Sequence, residues 1–521
     1  MSAKRDSPAP KRIAIVGGGI SGMACSWNLR DQDGDVDFYE SGSRLGGHAN
    51  SVPFKGNGRS VDVDTGFVVM DEATYPQFTS FLRELNIEPI PTDLSFGVSA
   101  ANGSFEWGSY SIPSFVGKLS NYFSPWFWRL AFDLCIRPRC WSLRAENFHI
   151  RLASDRIFNH ARAMATSQLW TRECIGDFLT RQGYSAHFIK YFLLPMVAAP
   201  WCIHPDEFGS QFPAKQLVQF MQDHGLLGTV TNTLKWRSFR NGSKTYVDAF
   251  QQSLPRRQEG GVVLQFEDHA PRVYDHVVLA VHAAQALALL GDNATALEYT
   301  MLNSFHTTEN ICYLHSDTSV NPHPSSHQRP SANYAQFLPK RRSVRTAWNC
   351  MLDEDYVTTG VCLGEKPNQE VGSGSRISIS FDTNKLQDTP FPGEHGSPGR
   401  VLVTTNPPKT PQSVQWSQVY DHPTFNTESM HMARHLAKIN GVEGVSFAGA
   451  WMGFGFHEDG FAAGAHAADM IIHGRENTPR LDLITGNRKY QRGRLTWAEI
   501  FLRVVVIVVQ YAMDTVSFFS A

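Results

Sequence analysis

The sequence predicts an α/β protein in which a dinucleotide-binding domain is interleaved with a second, α+β domain. Three observations carry that prediction. A short apolar strand, Arg12 to Val16, runs straight into a glycine loop, Gly17-Gly18-Gly19-Ile20-Ser21-Gly22, that fits GxGxxG. A second strand candidate, Asp35 to Tyr39, ends at an acidic residue, Glu40, about 20 residues after the loop. A second glycine-rich stretch, Phe447 to Gly460, lies near the other end of the chain and leads into an Ala-rich helical run, Phe461 to Ile472.

Each part of the first motif has a physical role. Gly17 permits a tight turn, Gly19 lets the backbone approach a pyrophosphate, and Gly22 lets the helix Ser21 to Leu29 pack close on the strand. The phosphates are expected on the helix N-terminus, around Ile20 and Ser21, where unpaired N–H groups and the helix dipole favour anions. Glu40 is placed to accept hydrogen bonds from the ribose hydroxyls of an adenosine half. It is followed by Ser41-Gly42-Ser43-Arg44-Leu45-Gly46-Gly47-His48, an extension that a plain NAD domain does not require.

The C-terminal motif repeats the same physics. Gly449 and Gly460 let backbone approach a ligand, and a helix expected to start at Gly460 offers N–H groups to an electron-rich group. His457, Glu458 and Asp459 crowd this loop. Glu458 and Asp459 read as helix caps, with Asp459 also a cofactor-side candidate. His457 reads either as the catalytic proton donor, acceptor or orienter, or as a packing residue; the spacing leaves both open.

The E-x-x-x-R-x-G-G pattern of Glu40, Arg44, Gly46 and Gly47 resembles the glutathione-reductase-type FAD fold. Within that fold it resembles the flavin amine oxidase and phytoene-desaturase superfamily. Further strings narrow the likeness: Val63-Asp64-Thr65-Gly66-Phe67 with Tyr75-Pro76, Gly242-Ser243-Lys244-Thr245-Tyr246-Val247, Asp275-His276-Val277-Val278-Leu279-Ala280, and Gly455-Phe456-His457-Glu458-Asp459-Gly460. These are similar to amine-oxidase-like proteins found beside, or fused to, cyclopropane-fatty-acid synthases.

The resemblance implies a Rossmann-type FAD-binding domain of residues 11–70, 232–290 and 440–475, a substrate domain of 71–231 and 291–439, and a linker and apolar tail, 476–521. It implies FAD as cofactor, with Arg44 and Gly47 on the pyrophosphate side, Ser41 and His48 beside them, and Gly449, Asp459 and Gly460 on the flavin side. It implies hydride transfer from an amine or lipid-like substrate to the flavin. The alternative is a non-catalytic, FAD-stabilised partner of a lipid-modifying enzyme. His48 stands where many amine oxidases carry Arg, so that arginine's contact does not carry over. In the superfamily a strand between the GSKTYV and DHVVLA strings grips the adenine; here Tyr246 to Val277 is short, and that strand is expected to be missing or replaced.

Composition bounds the rest. The chain has 521 residues, a formal net charge of −2, 18% charged residues and 12% aromatics, which excludes a mainly disordered chain. The near-neutral balance speaks against nucleic acid as a partner. Eight scattered cysteines without a CxxC pair predict reduced thiols and no metal site. No GxSxG, HExxH or Walker A string competes. Lys244 reads as an amine-oxidase lysine or a surface lysine. Trp201 and His204 read as pocket-lining or as a buried turn. Trp107 to Trp141 reads as a lipid-facing aromatic surface or as core.

The N-terminus lacks the apolar core of a secretory signal, so a cytoplasmic chain is expected. Phe501 to Met513 is apolar but falls short of the ~20 residues a spanning helix needs. It reads as a peripheral membrane contact within 495–521, or as a tail packed on the protein itself.

Overall fold

The computed structural model describes residues 11–135 except 33, 101, 102 and 104, residues 173–223 except 204, and residues 235–254, 272–318, 337–352, 377–483 except 482, 504–512 and 515. His204, Trp141, the stretches Ser319–Ser331 and Lys366–Gly374, whose composition predicts loops, and most of the Tyr246–Val277 stretch lie outside them. The elements that position the site are, in chain order, β1 (Lys11–Val16), α1 (Ile20–Leu29), β2 (Gly34–Tyr39), α2 (Pro76–Glu84), α3 (Pro125–Cys135), β3 (His276–Leu279), β4 (His306–His315), β5 (Val414–Thr424), β6 (Val445–Phe447) and α4 (His457–His473).

A four-stranded parallel sheet has the order β6-β3-β1-β2. Its strands are short and apolar because helices cover them; Ile13, Ile15 and Val278 are buried. Ile15 sits between Phe38 of β2 and Val278 of β3. A seven-stranded sheet, order β5, β4, Leu402–Thr405, Ser378–Asp382, Trp348–Leu352, Phe96–Ala100, Glu106–Gly108, is antiparallel except where Trp348–Leu352 runs parallel to Phe96–Ala100. The hairpin Ser51–Gly56/Arg59–Asp64 lies between the two sheets in sequence and touches the larger one, where Lys55 exchanges backbone hydrogen bonds with the Gln415 side chain.

Asp64 fastens this hairpin to two other segments. Its carboxylate accepts from Ser51 Oγ (2.6 Å), from the Ser243 N–H and Oγ (both 2.7 Å) and from Gln387 Nε2 (3.1 Å). Burial still dominates and pushes its pKa up to about 6.

Two expectations are corrected here. The run Val61 to Met70, which alternates and then turns apolar, reads in the sequence as a strand region, but β-structure stops at Asp64 and resumes only at Met70–Asp71. The break falls at Gly66, where a Cβ would lie 2.3 Å from the His48 carbonyl oxygen, so the chain must bend around the 46–48 loop. The C-terminal helix starts at His457, not Gly460, because the Asp459 carboxylate accepts the N–H groups of Phe454 and Phe456 (both 3.0 Å) and closes the turn earlier.

Candidate cofactor cradle at the junction of two helix ends

The glycine loop behaves as the pattern requires. Gly17 has φ +110°, and a Cβ there would sit 2.3 Å from the Ala280 carbonyl oxygen. A Cβ on Gly22 would sit 1.9 Å from the Gly17 carbonyl oxygen, so only glycine lets α1 approach β1 this closely. Gly19 is different. As N-cap of α1 it has φ −73°, a value open to any residue, and its absent side chain would meet nothing within 4 Å. Packing does not ask for glycine there; open space before a helix N-terminus is what a bound phosphate needs.

α4 crosses α1 at glycines. A Cβ on Gly460 would touch Ile20 Cγ2 (2.6 Å) and Ser21 Oγ (3.1 Å), and one on Gly464 would meet the Ser21 carbonyl oxygen at 2.0 Å. Ile20 and Ser21 are therefore buried against α4, and the two helix N-termini stand side by side. Their dipoles sum at one place. The Gly449 position has a local cause: it makes room for the Trp451 indole, whose Nε1 donates to the Val281 carbonyl (2.9 Å).

The Glu40 loop wraps over this junction. Glu40 Oε2 accepts the Gly18 N–H and Oε1 the Gly42 N–H, both at 2.7 Å. Each carboxylate oxygen keeps a second lone pair for a ribose hydroxyl. The Arg44 guanidinium donates to the carbonyls of Leu45, Gly47 and Ala49 at 2.8–3.2 Å, so it folds the loop rather than reaching away from it. Gly47, at φ +57°, then lies directly over Gly19: its Cβ would be 3.3 Å from the Gly19 Cα. Ser41 is exposed at the rim.

His48 comes next, and the structure surrounds it with residues that sequence reasoning did not single out. His282 lies just after β3, and Tyr420 and His422 on β5. Their ring centroids are 5.1–6.0 Å from His48. Tyr420 Oη bonds to Asn50 (2.8 Å) and Thr65 (2.7 Å). His422 Nδ1 meets Asn310 Nδ2 at 3.0 Å. Burial, reinforced by the neighbouring histidines, holds His48 well below the usual imidazole range and His422 at about 4. His48 Nε2 is shut from solvent with no hydrogen-bond partner. A neutral imidazole has one donor and one acceptor nitrogen, so Nε2 is a buried polar atom that a ligand can satisfy. His48 was visible as an anomaly in the sequence; its companions come from remote segments and carry no local signal.

His457 lies in a different environment. It stacks on Phe67 (3.6 Å, 7°), abuts Phe78 edge-on, and its Nε2 meets Tyr246 Oη at 2.8 Å. Burial pushes its pKa down to about 3, so it is neutral. Glu458 caps a helix, but not its own: it accepts the N–H groups of Gln77 (3.0 Å) and Phe78 (2.9 Å) at the start of α2. Lys244 pairs with Asp62 at the surface. Trp201 is buried, with Nε1 donating to the Phe454 carbonyl (2.7 Å). Trp107 is also core, although Leu119 and Phe123 farther along the same tract are exposed. Among the described residues no group of three or more His, Cys, Asp or Glu side chains is placed to hold a metal, and no disulfide forms.

Fold and site together define an α/β protein built on a Rossmann-like strand–glycine loop–helix unit. A family model described as an NAD(P)-binding Rossmann-like domain matches residues 15–85. Among curated proteins, the chain is similar to 2,6-dihydroxypyridine 3-monooxygenase of Paenarthrobacter nicotinovorans, at 32% identity over 129 residues, 23% of this chain. The matched segment spans 28% of that enzyme's length. Among solved structures, cyclohexylamine oxidase from Brevibacterium oxydans IH-35A superposes with a TM-score of 0.55 at 14% identity, covering 90% of this chain and 100% of its own. A CLA-producing fatty acid isomerase from P. acnes gives 0.54 at 13% identity, covering 91% and 99%. At these identities the likeness is one of fold, and it extends over nearly the whole chain.

Proposed function

We propose that the protein is an FAD-dependent oxidoreductase of the amine-oxidase type, acting on an amine or lipid-like substrate. The observation that carries this reading is the bare Gly19 at the joined N-termini of α1 and α4, roofed by Gly47. Such a place suits a dinucleotide pyrophosphate, held by main-chain N–H groups and helix dipoles with no need for lysine or arginine. That agrees with a net charge of only −2. FAD, when bound, supplies the hydride acceptor. This chain's residues do the rest: Glu40 holds the ribose, Arg44 shapes the loop, the α4 end favours negative charge beyond Gly460, and His48 orients a polar group of the ligand through Nε2. An amine substrate carries a polar group that can partner this nitrogen. His457, neutral and bonded to Tyr246, is a positioning residue and does not hold a mobile proton.

The test is the purified protein's own ligand. Visible flavin absorbance, retained on gel filtration or gained on incubation with FAD, is expected, and the nucleotide released on denaturation should have the mass of FAD. Anaerobic bleaching of that absorbance is then expected with a primary amine such as cyclohexylamine, or with an unsaturated fatty acid. Protein that neither carries nor takes up flavin, or that releases only a nicotinamide dinucleotide, removes this reading.

A further inference from the structure

Two tracts far apart in sequence meet on one helix and expose apolar side chains there. The first is the turn before α3. Leu119 and Phe123 are 81% and 87% exposed, and Tyr122 beside them is also exposed. The second is the helix of residues 504–512. Val506 of that helix packs on Ala131 and Phe132 of α3, with Trp128 and Ile507 completing the contact. Trp128 Nε1 donates to the Tyr122 carbonyl (2.8 Å), so the helix and the turn are tied to the same side of α3.

The outer side of that helix is what demands explanation. Val504, Val508 and Tyr511 have the i, i+4, i+7 spacing of one face, and all three are exposed, Val508 by 61% and Tyr511 by 50%. A helix whose inner and outer faces are both apolar is not finished by water. Its composition makes the same point: Val504 to Val509 are six consecutive β-branched residues. Such a run forms a poor helix in water and needs apolar surroundings on both sides. α3 supplies one side.

We propose that this surface docks on a membrane containing anionic lipid, with the helix lying in the interfacial plane. Charge and side-chain chemistry choose the occupant. Neither Trp107 to Phe132 nor Ile500 to Met513 contains an Asp or Glu, whereas Lys118 and Arg503 fall within them; Arg129 is already paired with Asp133 (3.2 Å). Arg488, Lys489, Arg492 and Arg494 precede the helix in sequence. Cations beside an apolar face attract anionic headgroups. Tyr122, Trp128 and Tyr511 have the amphipathic rings that settle at the headgroup level. Among the described residues no helix is long and apolar enough to cross a bilayer. The surface does not depend on the bound cofactor or on the reaction.

The test is flotation of the full chain with vesicles of phosphatidylcholine, with and without phosphatidylserine. The protein should float with the mixed vesicles, less with phosphatidylcholine alone, and less again as salt is raised. The double variants L119S/F123S and V508S/Y511S, all at exposed positions, should each lower the bound fraction at least about tenfold while melting like the wild type. Wild-type protein that stays at the bottom with anionic vesicles overturns the proposal, as do variants that float equally well. Wild-type protein that runs as a dimer on sizing, and becomes a monomer in V508S/Y511S without binding vesicles, would assign the surface to a second copy instead.

Discussion

Gly19, His48 and Glu458 show how differently single residues yield to sequence reasoning. The glycine spacing announced Gly17, Gly19 and Gly22 alike, yet only Gly19 lacks a reason inside the protein. That separates its effect on binding from its effect on folding. Gly19→Ser keeps a good N-cap at an allowed φ, so thermal stability should hold or rise slightly. The added side chain enters the open space, so FAD affinity, read by quenching of flavin fluorescence, should fall at least about tenfold. An unchanged affinity would show that the phosphates do not approach there. Glu458 carries a different lesson. Its place beside a helix start made it look like a local cap, but the N–H groups it accepts are Gln77 and Phe78, 381 and 380 residues away in sequence. Proximity across that distance has no local signature.

At the scale of elements, the α1–α4 crossing decides the site. Glycines at 460 and 464 let two helices meet backbone to side chain, and this sets both N-termini over one spot. The Ala-rich run predicted a helix, but not its partner, and its start was misplaced because the Asp459 bond to Phe454 and Phe456 lies before the run. Gly464→Val would drive a side chain into the Ser21 carbonyl, where a Cβ already falls at 2.0 Å. The helices must separate, at a cost of about 2–3 kcal/mol. Urea unfolding should show a lower midpoint with an unchanged slope, and flavin binding should weaken in parallel. A variant as stable as the wild type would mean that the helices are not in contact. The hairpin ending at Asp64 is the other element-scale joint. Its motif string was legible as a string, but its role as an anchor for Ser243 and Gln387 was not.

The whole molecule stores a pH dependence in buried imidazoles. His48, His282, His315, His422 and His457 are all held below the usual range, chiefly by burial, with His315 and His422 at about 4 and His457 at about 3. A group whose folded pKa is depressed contributes stability that is complete above its unfolded pKa. That stability is lost as pH falls through the window towards the folded value. For these histidines the window runs from about 6.5 down to about 4, and a full shift of that size is worth roughly 3 kcal/mol. Asp64 works the other way, since its raised pKa lets the fold gain a proton below about 6. Asp71 and Asp382 are raised by burial as well, but three raised acids do not offset these five depressed histidines in this range, so the denaturation midpoint should drop between pH 7 and pH 5. His457→Phe, packed between Phe67 and Phe78, should flatten that drop. A midpoint independent of pH, or a variant with the wild-type slope, would contradict the burial of these rings as neutral groups.

The sequence by itself determined the fold class, the strand–glycine loop–helix unit, the acidic end of β2 and the second glycine-rich helix start. These are local: apolar runs, turns and close approaches are written in adjacent residues. Only the tertiary structure decided that α1 and α4 share one N-terminal platform, that His48 joins His282, His422 and Tyr420, that His457 is spoken for by Tyr246, and that the helix of residues 504–512 packs on α3 through Val506 and leaves Val504 and Val508 exposed. Each of these depends on segments hundreds of residues apart being brought together by burial, and burial is a property of the packed chain rather than of any stretch within it.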